Sequence, residues 1–192
     1  MVDIINISRT MNQIKSYLKI IIGPMWSGKS TEVVNIYNHN CIARIPTLVV
    51  NYDEDKRYHD EKLSTHDKMM IPCQRFHNLI DLIYYKELHK YKCIVIDEAQ
   101  FFADLKVAVE LLLSKDKIIY VCGLDSDFKM NKFGYILDII PIADEIVKKQ
   151  ALCAICRNGT KASFTKRLSG GSSQKLIGND NYIPVCRECH QK

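Results

Sequence analysis

Residues 23–31 read Gly-Pro-Met-Trp-Ser-Gly-Lys-Ser-Thr, directly after the apolar run Tyr17–Ile22. Gly23, four residues, Gly28, Lys29 and Ser30 have the spacing of a phosphate-binding loop. A strand entering such a turn and a helix leaving it aim successive backbone N–H groups into one concavity, where the helix N-terminus also favours anions. Lys29 has the reach to touch β- and γ-phosphates, and the Ser30 hydroxyl is suited to ligate Mg²⁺. Thr31-Glu-Val-Val-Asn-Ile-Tyr follows, with Val33, Val34, Ile36 and Tyr37 at helical spacing, so the motif has the context it needs. The expected ligand is a nucleoside triphosphate.

Outward from the loop, the helix is expected to run to about His39. Thr47–Tyr52 is a β-branched run after Pro46 and predicts a second buried strand. Asp53–Ile71 is polar and irregular, the pattern of a mobile loop. Leu79–Leu88 predicts a helix, Cys93–Ile96 a short apolar strand ending at Asp97, Leu105–Leu113 a helix and Lys117–Cys122 a strand. This alternation predicts an α/β fold of the P-loop NTPase kind, a central parallel sheet with helices on both faces. Ligands of such sheets gather at the carboxyl ends of the strands, where Gly23, Asp97 and Gly123 fall. Residues 1–16 are expected to form a loose arm, residues 17–150 the nucleotide-binding domain, and residues 151–192 a second, small domain.

That last segment holds Cys153-Ala-Ile-Cys156 and Cys186-Arg-Glu-Cys189, separated by an insert with the run Ser169-Gly-Gly-Ser-Ser. Two such knuckles are able to set four thiolates tetrahedrally at about 2.3 Å from Zn²⁺, the geometry of a closed structural site. So short a piece buries too little apolar surface to hold its shape alone, so metal binding belongs to its folding free energy. Cys41, Cys73, Cys93 and Cys122 lack partner spacing, and Cys93 and Cys122 read as core filler.

The 192 residues are 47 % hydrophobic, enough for a substantial core, and carry a net charge of +5. That balance suits phosphorylated ligands but lacks the clustered stripe of a nucleic-acid binder, and the basic run Lys161–Arg167 reads as a solvated face. No stretch approaches the ~20 apolar residues of a membrane span. Met1–Asn12 mixes Asp3, Asn6 and Arg9 with apolar residues, so no signal peptide is expected. A cytoplasmic location follows as the expectation, and cysteines regularly paired in a reducing cytosol are metal ligands more readily than disulfides.

Asp97-Glu98-Ala99-Gln100-Phe101 closes the third strand. An acid at that point is where nucleotide-binding folds hold Mg²⁺, and Glu98 beside it is placed to take a proton from the attacking nucleophile. Whether that nucleophile is water or a substrate hydroxyl, hence hydrolase or kinase, stays open at this level. A nucleic-acid-dependent ATPase would share the Asp-Glu-Ala-Gln box but is expected to need a second domain of similar size. A nucleotide switch would have no use for Glu98.

Taken in order, Gly-Pro-Met-Trp-Ser-Gly-Lys-Ser-Thr, Asp-Glu-Ala-Gln-Phe-Phe from Asp97, Gly123-Leu-Asp-Ser-Asp-Phe128 and the two Cys-x₂-Cys pairs resemble the thymidine kinases of the cellular and poxvirus type. The resemblance runs from about Tyr17 to His190. It implies transfer of the γ-phosphate of ATP to the 5′-hydroxyl of thymidine, with Glu98 as general base. Lys29 and Arg57 would offset charge on the transferring group, and Ser30, Asp97 and Asp55 would hold Mg²⁺. Gly23, Pro24, Met25, Trp26, Ser27, Gly28, Lys29, Ser30, Thr31, Asp97 and Gln100 would form the ATP site. Asp55-Lys-Arg-Tyr and Thr65-His-Asp match two further family segments. Met25, Phe101, Leu124, Phe128 and Phe133 would enclose the base. The insert would form a lasso over the nucleoside through Gln174, Lys175, Leu176, Ile177 and Gly178, with Ser163 and Tyr182 lining the site. Zinc on Cys153, Cys156, Cys186 and Cys189 would pin both ends of that lid. A homotetramer and feedback inhibition by thymidine triphosphate are further implications, and neither nucleic acid nor membrane is an expected partner. The chain departs from the family pattern at Trp26, where Phe is usual, at Ser126-Asp127 and at Phe164.

Overall fold

A computed structural model describes residues 15–54, 62–64, 70–168 and 181–192, so most of the expected N-terminal arm lies outside the described residues. Strands β1 (Tyr17–Ile22), β2 (Thr47–Tyr52), β5 (Gln74–Phe76), β6 (Cys93–Ile96), β7 (Ile118–Gly123) and β8 (Glu145–Lys148) form one sheet in the order β5-β2-β6-β7-β1-β8. Every pairing within it is parallel.

The four central strands are apolar almost throughout because both faces are covered. Leu18, Ile20, Ile22, Leu48, Val50, Ile94, Ile96, Ile119 and Val121 pack into one core with Leu105, Ala108, Val109 and Leu112 of helix α3 (Leu105–Ser114). The 3₁₀ turns of Ile136–Ile142 complete that face with Ile136 and Ile139. The alternate residues Ile21, Val49, Cys93, Val95, Ile118 and Cys122 pack on the other side against Val33 and Val34 of helix α1 (Lys29–Ile42). Cys93 and Cys122 are thus core residues, as expected of lone cysteines in strands. The doubly covered parallel sheet anticipated from the alternation is what forms.

Three local readings change. The helix anticipated over Leu79–Leu88 is one turn, α2 (Ile80–Ile83), followed by a 3₁₀ turn at Leu88–Lys90. Leu79, Leu82 and Leu88 are buried, so the apolar pattern reported burial rather than helix length. The start of α2 is set from outside the turn: Leu79 N–H and Ile80 N–H donate to the Asp104 carboxylate at 3.1 and 2.7 Å. Within the expected irregular stretch, β3 (Lys62–Ser64) and β4 (Met70–Pro72) pair antiparallel. The two edge strands β5 and β8 escaped the apolar pattern because each pairs on one side only and carries charged residues.

Beyond β8 the chain builds two short antiparallel pairs, β9 (Ala151–Leu152) with β10 (Lys161–Ala162) and β11 (Phe164–Arg167) with β12 (Tyr182–Val185), and ends in helix α4 (Arg187–Gln191). Their shared core is small: Ala151, Cys153, Ala162, Val185 and Cys189, with Phe164 and Ile183 packed against it. Among the described residues no helix is long and apolar enough to cross a membrane.

Candidate active site

β1 delivers the chain to Gly23, whose φ of +151° and surroundings both demand glycine: a Cβ there would sit 2.5 Å from the Lys149 carbonyl oxygen. Gly28 caps α1 in the left-handed region, at φ 77°. Lys29 Nζ donates to the carbonyls of Gly23 at 3.1 Å and Pro24 at 2.7 Å, which folds its side chain back across the loop. Desolvation lowers the pKa of this ammonium, while the fields of Glu98, Asp97, Cys122 and Asp125 oppose the shift. The lysine and the acidic pair therefore share one electrostatic site. Ser27 is buried, and its hydroxyl has no hydrogen-bond partner among the described residues.

Asp97 follows β6 and is 3 % exposed, with its Oδ1 accepting the Glu98 N–H at 2.9 Å. Glu98 itself takes the left-handed region at φ 52°, unusual without a short polar side chain, and turns the chain into the 3₁₀ turn Ala99–Phe101. Gln100 is buried there, donating from Nε2 to Glu98 Oε2 at 2.5 Å and accepting the Leu124 N–H at Oε1, 2.9 Å. Phe101 tilts on Tyr52 at 5.4 Å, and Phe133 meets Phe101 edge-on at 5.6 Å. Leu124 and Phe128, both half-buried, lie on the segment after β7. Asp127 shapes that segment, its Oδ1 accepting the N–H groups of Lys129 at 2.8 Å and Asn131 at 2.9 Å.

The phosphate loop is tied to the cysteine-rich segment. Met25 N–H donates to Thr165 Oγ1 at 3.0 Å, and the Trp26 indole N–H donates to the Tyr182 carbonyl at 3.3 Å. Thr165 is 4 % exposed and escaped the sequence reading, which chose Ser163; Ser163 Oγ instead accepts Gln150 Nε2–H at 2.8 Å on an exposed rim. Arg167 is half-buried, which corrects the reading of the Lys161–Arg167 run as a wholly solvated face. Its guanidinium lies 4.3 Å from the Phe128 ring centroid and donates from Nη2 to the Tyr182 hydroxyl at 2.7 Å. The signal for both residues was the strand alternation Phe164-Thr-Lys-Arg, visible only once β12 is known to pair with it.

Of the other expected site residues, Asp55, Arg57, Gln174, Lys175, Leu176, Ile177 and Gly178, with the Thr65-His-Asp segment, lie outside the described residues. Pro24, Ser30 and Thr31 occupy the loop and the first turn of α1.

At the far end, the sulfurs of Cys153, Cys156, Cys186 and Cys189 all lie within 4.8 Å of one another, and the set could hold a metal such as zinc. Four sulfurs about 2.3 Å from a tetrahedral ion are about 3.8 Å apart. The Cys156 sulfur is 3.7 Å from that of Cys186 and 3.4 Å from that of Cys189, so the residues fit the ion. Burial pushes the Cys153 thiol up, but amide donors from Cys156, Cys186 and Ile155 outweigh it and hold the thiol near about 6.

Comparison with known proteins gives the chain's relatives. The family profile described as thymidine kinase matches residues 16–190. A thymidine kinase of Yaba monkey tumor virus is 37 % identical over 190 residues, covering 95 % of this chain and 98 % of that protein. Thymidine kinases of monkeypox and variola viruses are each 37 % identical over 175 residues, covering 91 % of this chain and 96 % of theirs.

Proposed function

The chain belongs to the thymidine kinase family, and on that premise we propose that it transfers the γ-phosphate of ATP to the 5′-hydroxyl of thymidine, as an enzyme of the EC 2.7.1.21 type. The observation that carries the mechanism is the convergence of Lys29, Asp97 and Glu98 at the carboxyl ends of β1 and β6. Loop amides at the start of α1 and the Lys29 ammonium receive the triphosphate. In this reading the ammonium exchanges its Gly23 and Pro24 carbonyls for phosphate oxygens.

Asp97 and the Ser30 hydroxyl, with Asp55, would hold Mg²⁺, which when bound shields the phosphate charge. Glu98 takes the proton of the 5′-hydroxyl as that oxygen bonds to the γ-phosphorus; the bridging P–O bond breaks, and ADP leaves with its electron pair. Arg57 would add charge opposite the transferring group. Gly23, Pro24, Met25, Trp26, Ser27, Gly28 and Thr31 complete the proposed nucleotide site. Met25, Phe101, Leu124, Phe128, Phe133 and Tyr182 wall the base, under a lasso contributed by 174–178.

The proposed arrangement is modular. Residues 17–150 form the nucleotide-binding domain and 151–192 the lid domain, whose thiolates hold structural zinc, with 1–16 as an arm. Feedback by thymidine triphosphate and a homotetramer are inferred from the family resemblance alone, and a cytoplasmic site (the host's, for a viral enzyme) is proposed with them.

Incubation with Mg-ATP and thymidine is expected to yield thymidine monophosphate and ADP in equal amounts. Thymidine-independent ATP hydrolysis stimulated by DNA, or tight binding of both ligands without turnover, would overturn the assignment.

A further inference from the structure

We propose that Gln100 is a positioning residue of the reaction, fixing the Glu98 carboxylate and the nucleoside wall to one another through its side-chain amide. The inference rests on Glu98 as general base. It departs from the expectation that Gln100 binds phosphate, because both ends of its amide are engaged inside the protein.

The orientation of that amide is forced by its partners. A main-chain N–H only donates, so the Leu124 amide must face Oε1, at 2.9 Å. A carboxylate only accepts, so Glu98 Oε2 must face Nε2, at 2.5 Å. Gln100 is 3 % exposed, so its own side chain is shielded from water. A charge-assisted bond of this length holds one carboxylate oxygen and thereby sets where the other lies.

The wall closes on Gln100 from two directions. A Cβ at Gly123 would stand 2.5 Å from Gln100 Oε1, and one at Gly134 would stand 2.0 Å from the Gln100 carbonyl oxygen. Residues 123–134 therefore start against its side chain and end against its backbone. Between those glycines lie Leu124, Phe128 and Phe133, the residues proposed to hold the base. The base catalyst and the pyrimidine wall are thus indexed to one side chain, which sets the distance between the 5′-hydroxyl and its proton acceptor.

Gln100→Glu keeps size and an acceptor for Leu124 N–H but replaces the amide donor to Glu98 with a second carboxyl group, which repels the base or shares its proton. It is expected to lower kcat about 100-fold, the cost of a roughly 1 Å misplacement, while the KM for thymidine stays within about threefold. Gln100→Leu loses both bonds and is expected to raise thymidine KM about tenfold as well. In a Glu98→Gln background, Gln100→Glu should remove little further activity, because the two residues act as a unit. Gln100→Met, which keeps length without any donor, gives the same kcat test should the glutamate variant fail to fold. Unchanged kcat in these variants, a loss confined to ATP KM, or full additivity with Glu98→Gln would overturn the proposal. Turnover retained by Glu98→Gln alone would instead refute the general-base reading, a separate outcome.

Discussion

Glu98 adopts φ 52° to leave β6, and that turn sets its carboxylate beside Asp97 and within the field of Lys29. Glu98→Gln keeps the shape and removes the proton acceptor, so turnover should fall by about 10²–10⁴, with both substrate KM values nearly unchanged in steady-state assays. Gly134→Ala asks for a Cβ 2.0 Å from the Gln100 carbonyl at φ +60°, and backbone cannot step aside cheaply. Calorimetry should show a loss of at least about 2 kcal/mol, or roughly 4–8 °C in Tm. The meeting of Lys29, Asp97 and Glu98 was legible in the sequence because their spacing is local: each sits in a motif next to the strand that presents it. Thr165 and Arg167 were not, because their partners Met25, Phe128 and Tyr182 arrive from elsewhere in the chain.

At the scale of elements, the buried strands were legible and the connections less so. A strand covered on both faces must be apolar throughout, which Cys93–Ile96 and Ile118–Gly123 are; an edge strand such as β8 has no such obligation. The over-long helix expected at Leu79–Leu88 shows the same limit, since the start of the one turn that forms is fixed by Asp104, a residue far along the chain. Asp104→Ala leaves two N–H donors of α2 without that acceptor and should cost about 1–2 kcal/mol, lowering Tm by roughly 2–8 °C with turnover retained. Thr165→Val tests the tie between β11 and the phosphate loop. Losing the acceptor of Met25 N–H should cost about 1 kcal/mol, read as a rise of roughly fivefold in the KM values for ATP and thymidine.

For the whole molecule, the small cluster around Cys153 and Cys189 is separate from the two cores that sandwich the sheet. Prolonged treatment with a strong chelator should release zinc, measured by metal analysis, and abolish thymidine phosphorylation. The helices flanking the sheet should survive, seen as retained far-ultraviolet circular dichroism. The gathering of four cysteines was legible from two local pairs, whereas the attachment of their segment to the phosphate loop was not. That attachment has a practical corollary. Trp26 is the single tryptophan of the chain, 47 % exposed at the tip of the phosphate loop, and its indole N–H rests on the Tyr182 carbonyl. The protein therefore carries a built-in optical probe where the phosphate loop meets β12, and unlabelled emission spectra should register nucleotide arrival and loss of that contact alike.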